Sequence, residues 1–129
     1  MTPGPPRPVI QQGDIYRVDI PKFQTVGSEQ FKPRPYIIVS RTAINRHGNT
    51  VVGVPMSTKV HKASQHKILL PVAEIIRDVG YPDPFRDSVA LTDQIRVLDI
   101  TRLEVKMGRL SDSAIISVGL GLGFLFDIL

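Results

Sequence analysis

GSEQFKPRP, residues 27 to 35, lies between two stretches that both read as β-strands, DIYRVDI (14–20) before it and PYIIVS (35–40) after it. The first alternates Tyr16, Val18 and Ile20 with Ile15, Arg17 and Asp19, the period of a half-exposed strand. The second is a short apolar run rich in β-branched residues, as expected of a buried central strand. The chain therefore leaves a sheet after Pro21, makes a long loop and returns at Pro35. Within that loop Gly27 permits a sharp turn, and Lys32 and Arg34 bring positive charge. Only arginine offers a planar fork that grips two phosphate oxygens at once. Pro33 and Pro35 fix their own φ angles and extend the residues before them, so Arg34 is partly aimed before any ligand arrives. Glu29 is the one carboxylate between Asp19 and Glu74 and stands alone here as a possible proton acceptor. The plainer reading is a solvated loop with a surface ion pair.

Working outward, Thr50–Met56 (TVVGVPM) reads as another strand, with Gly53 and Pro55 marking a close approach or an edge. Ser57, Thr58 and Lys59 follow it, two hydroxyls and a cation where a strand opens into a loop. Such hydroxyls also commonly satisfy turn backbone groups. Residues 41–49 turn, residues 66–72 form a fourth strand, and residues 73–87, with Gly80, Pro82 and Pro84, form a connection. Residues 88–91 and 95–98 read as short strands, 99–103 as a helical turn and 105–110 as a last strand. Ser111 then offers an N-cap to a closing helix with Ile115, Val118, Leu122, Leu125 and Leu129 on one face. Gly119, Gly121 and Gly123 each cost about 1 kcal/mol against alanine in a helix interior, so packing must hold this helix. These glycines could admit another backbone, and the apolar faces suggest cover by a partner chain. The expected architecture is mainly β with a C-terminal helix, a small, strongly curved antiparallel barrel.

At 129 residues the chain suits one domain, and the absence of cysteine excludes disulfides, a thiol nucleophile and thiolate metal sites. Residues 1–12 contain four prolines and no apolar run of the kind a signal peptide needs; a loose tail preceding a domain at 13–129 is expected, in a cytoplasmic protein. The GLGLG string lacks dinucleotide-fingerprint spacing, and the apolar stretch around it, broken by Asp127, is too short to span a membrane. Residues 1–64 carry nine Lys or Arg against three Asp or Glu, and residues 65–129 seven against nine. A basic half of this kind raises the prospect of an anionic partner, nucleic acid above all. The three histidines, His47, His61 and His66, lie in polar stretches and have no helical ligand spacing or completing carboxylate, so no metal site is expected.

The order QGDIYRVDIP, GSEQFKPRPYIIVS, VPMSTKV and RDSVALTDQIRVLDITRL resembles the PemK/MazF-like toxin family, the ribonuclease halves of bacterial toxin–antitoxin pairs, from Gln12 to the end. The resemblance implies an SH3-like barrel, a homodimer, metal-independent and cofactor-free cutting of single-stranded RNA at short sequences, and an antitoxin peptide that occludes the RNA groove. The family's loop arginine falls on Arg34, its strand-end hydroxyl on Ser57, serine here where many members have threonine, and its acidic loop residue on Glu29. The implied chemistry is attack of the ribose 2′-hydroxyl on the adjacent phosphorus. Arg34 and Ser57 would stabilise the charge that builds on the nonbridging oxygens. Arginine stays protonated while a glutamate accepts protons readily, which favours Glu29 as the assisting base. RNA contacts are expected from Gln30, Lys32, Thr58, Lys59 and His61, with Phe23, Gln24 and Phe31 as further candidates to read bases splayed from a single strand. Two alternatives stay open: a same-fold toxin that poisons DNA gyrase, and an RNA-binding module that does not cut.

Overall fold

Alternation along the first two strands builds a wall buried on both sides. In the computed structural model, which describes residues 9–20 and 33–128, Asp14–Val18 forms β1 and Arg34–Ile38 forms β2, paired antiparallel with Tyr16 opposite Tyr36. Successive residues of β2 point to opposite faces. Ile37 joins one core cluster with Ile15, Val54, Met56 and Leu110, while Tyr36 and Ile38 join a second with Val18, Val51 and Leu98. The expected buried strand is found, and it begins at Arg34, so the arginine is held by the sheet.

The remaining strands are β3 (Thr50–Ser57), β4 (Ile68–Leu70), β5 (Ile75–Arg77), β6 (Ser88–Ala90), β7 (Arg96–Asp99) and β8 (Leu103–Leu110). They pair antiparallel in the order β4-β6-β3-β2-β1-β8-β5, with β7 also on β3, and curl into a nearly closed barrel of the SH3-like kind expected. Several residues make the curvature. β3 pairs with β7 through Gly53 and with β6 from Met56 onward, and Pro55, which has no N–H to offer a ladder, stands at the change of partner. A Cβ on Gly53 would stand 2.7 Å from Leu98 Cδ1 and 3.1 Å from the Tyr36 ring, so the glycine makes room for the second cluster. The β1–β8 ladder slips register twice, which bends the sheet further.

Four segments differ from expectation. The connection at 73–87 contains β5, which sequence periodicity could not show because it is three residues long and exists by pairing with β8. The turn at 41–49 contains a short helix, α1 (Thr42–Asn45). The fourth strand contracts to Ile68–Leu70. Residues 10–12, assigned above to the tail, are packed: Ile10 is buried, its carbonyl accepts from Asn45 Nδ2 at 3.0 Å, and the Gln12 amide donates to the Val39 carbonyl at 2.8 Å.

The closing helix, α2 (Asp112–Leu125), starts as read: Ser111 Oγ accepts from the Ala114 N–H. Ala114, Val118, Gly121 and Gly123 are its buried residues, and Leu129 lies outside the described residues. A Cβ on Gly121 would stand 2.6 Å from the His66 carbonyl oxygen, so this glycine does admit another backbone. His66 is explained by the same contact, since its ring stacks on Phe124 and its carbonyl accepts from Thr92 Oγ1 at 2.6 Å. Among the described residues no helix is long and apolar enough to cross a membrane.

The helix start carries a pH dependence. Hydrogen bonds from the Ser111 and Ser113 hydroxyls hold the Glu74 carboxyl below its ordinary value of 4.5. The folded state thus binds this proton less readily than the unfolded chain, so the contribution is present above that value and lost as pH falls through the lower folded one. Glu74→Gln is expected to melt lower than wild type near neutral pH, with the gap closing as pH falls below the ordinary carboxyl value and through the lower folded one. Paired thermal melts would check this; a gap unchanged by acid would contradict it.

Candidate active site

Strand register brings the two candidate groups together. β2 and β3 pair with Tyr36 opposite Pro55 and Ile37 opposite Val54. Continued by two residues, that register sets Arg34 against Ser57, and directly opposed positions share a face of the sheet. Both line one cleft of about 290 Å³ with Pro35, Met56, Thr58, Pro84, Phe85, Arg86, Ser88 and Met107. Arg34 at the start of β2 and the hydroxyls at the end of β3, separate in the sequence, thus open onto one space.

Each group is prepared differently. Arg34 Nε is buried and has no hydrogen-bond partner among the described residues, a condition that native structures rarely leave without a use. Ser57, only 7% exposed, accepts from the Lys59 N–H at 3.1 Å. The turn-stabilising role open to this hydroxyl is therefore real. It also orients the group: a hydroxyl that accepts from the backbone still has its own O–H to donate.

The other candidates divide by position. Thr58 is exposed and lines the cleft. Lys59 and His61 are exposed on the turn after β3, His61 in the short 3-10 helix Val60–Lys62, and neither is among the cleft-lining residues. Glu29, Gln30 and Lys32, with Phe23, Gln24 and Phe31, lie outside the described residues. Among the described lining residues none is a carboxylate or a histidine, so the described walls supply charge and hydrogen bonds without an evident base.

Sequence reading missed the far wall, formed by Pro84, Phe85, Arg86, Ser88 and Met107. Its one signal was the pair Phe85–Arg86, an aromatic beside a cation, in a segment taken as connection. That segment is tied down. The Asp78 N–H donates to the Met107 carbonyl at 2.9 Å, Ser88 Oγ to the Arg86 carbonyl at 2.8 Å, and Asp87 Oδ1 accepts from the Val72 N–H at 2.8 Å.

Comparison with known proteins gives a consistent picture. A family model described as PemK-like, MazF-like toxin of type II toxin–antitoxin system matches residues 11–126. The chain is 34% identical over 110 residues to the endoribonuclease MazF of Staphylococcus epidermidis, covering 85% of each chain. In fold it is similar to the crystal structure of MazF from Deinococcus radiodurans, with TM-score 0.72, 21% identity and coverage of 94% and 99% of the two chains. It is also similar to a mycobacterial endoribonuclease solved in complex with its cognate antitoxin, with TM-score 0.70, 22% identity and coverage of 93% and 97%.

Proposed function

The chain belongs to the PemK-like, MazF-like toxin family of type II toxin–antitoxin systems and is an endoribonuclease of that family, and we propose that it cuts single-stranded RNA at short sequences in the cleft between Arg34 and Ser57. The observation that carries this reading is that Arg34, whose buried Nε has no hydrogen-bond partner among the described residues, lines one cleft with the strand-end hydroxyl of Ser57 on the paired strands β2 and β3.

The scissile phosphate sits between these two groups. The 2′-hydroxyl loses its proton to a base, its oxygen bonds to phosphorus, and the bond to the 5′-oxygen breaks as that oxygen takes up a proton. The products are a 2′,3′-cyclic phosphate and a 5′-hydroxyl. Negative charge grows on the nonbridging oxygens as the phosphorus gains its fifth bond, and there the Arg34 guanidinium and the Ser57 O–H donate. Glu29, which precedes β2 in the sequence, is the proposed proton acceptor, and Gln30 and Lys32, with Thr58, Lys59 and His61 after β3, are the proposed contacts to the RNA strand. The protein acts in the cytoplasm on cellular RNA and is silenced by a cognate antitoxin, as the antitoxin-bound neighbour supports.

Two copies of the chain assemble. Ile116, Leu120 and Phe124 stand exposed at fourfold spacing along α2, an apolar stripe that a second copy would cover. Sedimentation of a monomer at micromolar concentration would contradict this.

The function is tested by incubating the purified protein with a mixed single-stranded RNA pool in EDTA and mapping the new ends. Discrete cuts ending in cyclic phosphate are expected, and intact RNA would overturn the proposal. Ser57→Ala should slow cleavage by about 100-fold, the lower end of what loss of one preorganised donor costs. Ser57→Thr, which keeps the hydroxyl, should retain most activity. Equal rates for Ser57→Ala and wild type would remove Ser57 from the site.

A further inference from the structure

The far wall of the cleft is apolar at its base and cationic at its rim. Phe85 packs against the main core cluster, and its ring lies 6.3 Å, centroid to centroid, from that of Tyr81. Ring carbon Cε2 comes within 3.1 Å of where a Cβ would stand on Gly108, so a glycine in β8 seats the ring. With Met56 and Met107 it makes a non-polar surface in the same space as Arg34 and Ser57. Arg86, next in the chain, is exposed and lines the same cleft. Its backbone is fixed, as described above, by the hydrogen bond from Ser88.

An RNA strand laid through a cleft of this kind meets a definite pattern. The scissile phosphate needs the polar edge formed by Arg34 and Ser57, and the neighbouring base, which is flat and apolar on its faces, needs a non-polar surface. The following phosphate needs a cation. We infer that Phe85 stacks a base adjacent to the cut and that Arg86 binds the phosphate flanking the scissile one, so that this wall sets affinity and base preference while Arg34 and Ser57 set the rate. The inference rests on the RNA-cleaving reading above and adds two binding residues to it. Aromatic stacking tolerates any base but favours those that stack best, which makes Phe85 a selector of base type. A single arginine on a phosphate adds sequence-independent affinity that salt weakens.

The test uses the RNA word mapped in the cleavage assay and a copy of it with 2′-deoxyribose at the cut position, for binding without turnover. Phe85→Leu keeps apolar bulk for the core but removes the aromatic face. It should bind about tenfold more weakly, raise KM with kcat unchanged, and cut with a broader base preference on one side of the bond. Phe85→Tyr should restore all three. Arg86→Gln should weaken binding uniformly across sequences and reduce the slope of log affinity against log salt by about 0.7, the share of one phosphate contact on a single strand. Because Arg86 is exposed, its variant leaves the core intact and gives an arm independent of any packing effect at Phe85. Wild-type affinity, salt slope and base preference in both Phe85→Leu and Arg86→Gln would overturn the inference while the RNA-cleaving reading stands. Loss confined to kcat with unchanged binding would overturn it too. A wild type that neither binds nor cuts the RNA would overturn both.

Discussion

Arg34→Ala is expected to lower the cleavage rate by about 100- to 1,000-fold, the scale seen when one preorganised donor is removed from a charge-stabilising site, with the fold intact. The intact fold follows from where the side chain ends. Its backbone pairs with Val18 in the β1–β2 ladder, and alanine can make those same bonds. The guanidinium contributes a buried nitrogen that no described residue satisfies, and such a group costs free energy instead of supplying it. Arg34→Ala should therefore melt at or above the wild-type temperature while losing activity, the pairing expected of a residue kept for function. Arg34→Lys keeps the charge but loses the planar fork, so it should also be strongly impaired. Single-turnover rates on a defined RNA together with thermal melts would check this. A folded Arg34→Ala that cuts at the wild-type rate would place the site elsewhere.

The second large effect is on stability. Gly108 pairs with Ile15 of β1 on one side and Arg77 of β5 on the other. A Cβ there would collide with the Ile76 carbonyl oxygen and stand 3.2 Å from Arg77 Cα. Both are backbone atoms, so no side-chain rotation relieves the clash and β5 must move away from β8. Gly108→Val is expected to cost about 3 kcal/mol, at the upper end for overpacking a tight site, and to lower the melting temperature by roughly 10 °C. It should also displace Phe85, so the protein that remains folded should bind RNA more weakly. Gly119→Ala makes the contrast. Nothing stands within 4 Å of a Cβ at Gly119, and alanine is the better helix former by about 1 kcal/mol, so this change should stabilise. Urea denaturation of the two variants beside wild type would check both signs. A neutral Gly108→Val would mean that β5 is not held against β8 as described.

Much of the barrel was legible because its long elements carry their own signals. The alternation of residues 14–18 and the unbroken apolar run after Pro35 announce β1 and β2, and a serine before Asp112 announces α2. β5 was not legible: Ile76 is 55% exposed, three residues show no period, and the strand exists because β8 offers it an edge. Of the site, Arg34 and Ser57 stood out because each marks the end of a strand, where rigid backbone can present a polar group. That they line one cleft follows from the pairing of β2 with β3, which residue type does not encode. The far wall was hidden for a related reason. Phe85 reaches the cleft by resting on Gly108, and a glycine in the interior of a strand does not name the ring that will lie on it.

The mechanism proposed for this cleft turns on attack by the RNA's own 2′-hydroxyl on the phosphate held by Arg34 and Ser57. The most direct test is an RNA of the mapped word carrying a single 2′-deoxyribose immediately 5′ of the scissile phosphate, compared with its all-ribose parent. Both strands are expected to bind with similar affinity and only the parent to be cut, leaving a 2′,3′-cyclic phosphate. Cleavage of the substituted strand at the same bond would show that water or another nucleophile does the work, and would contradict the mechanism proposed for this cleft.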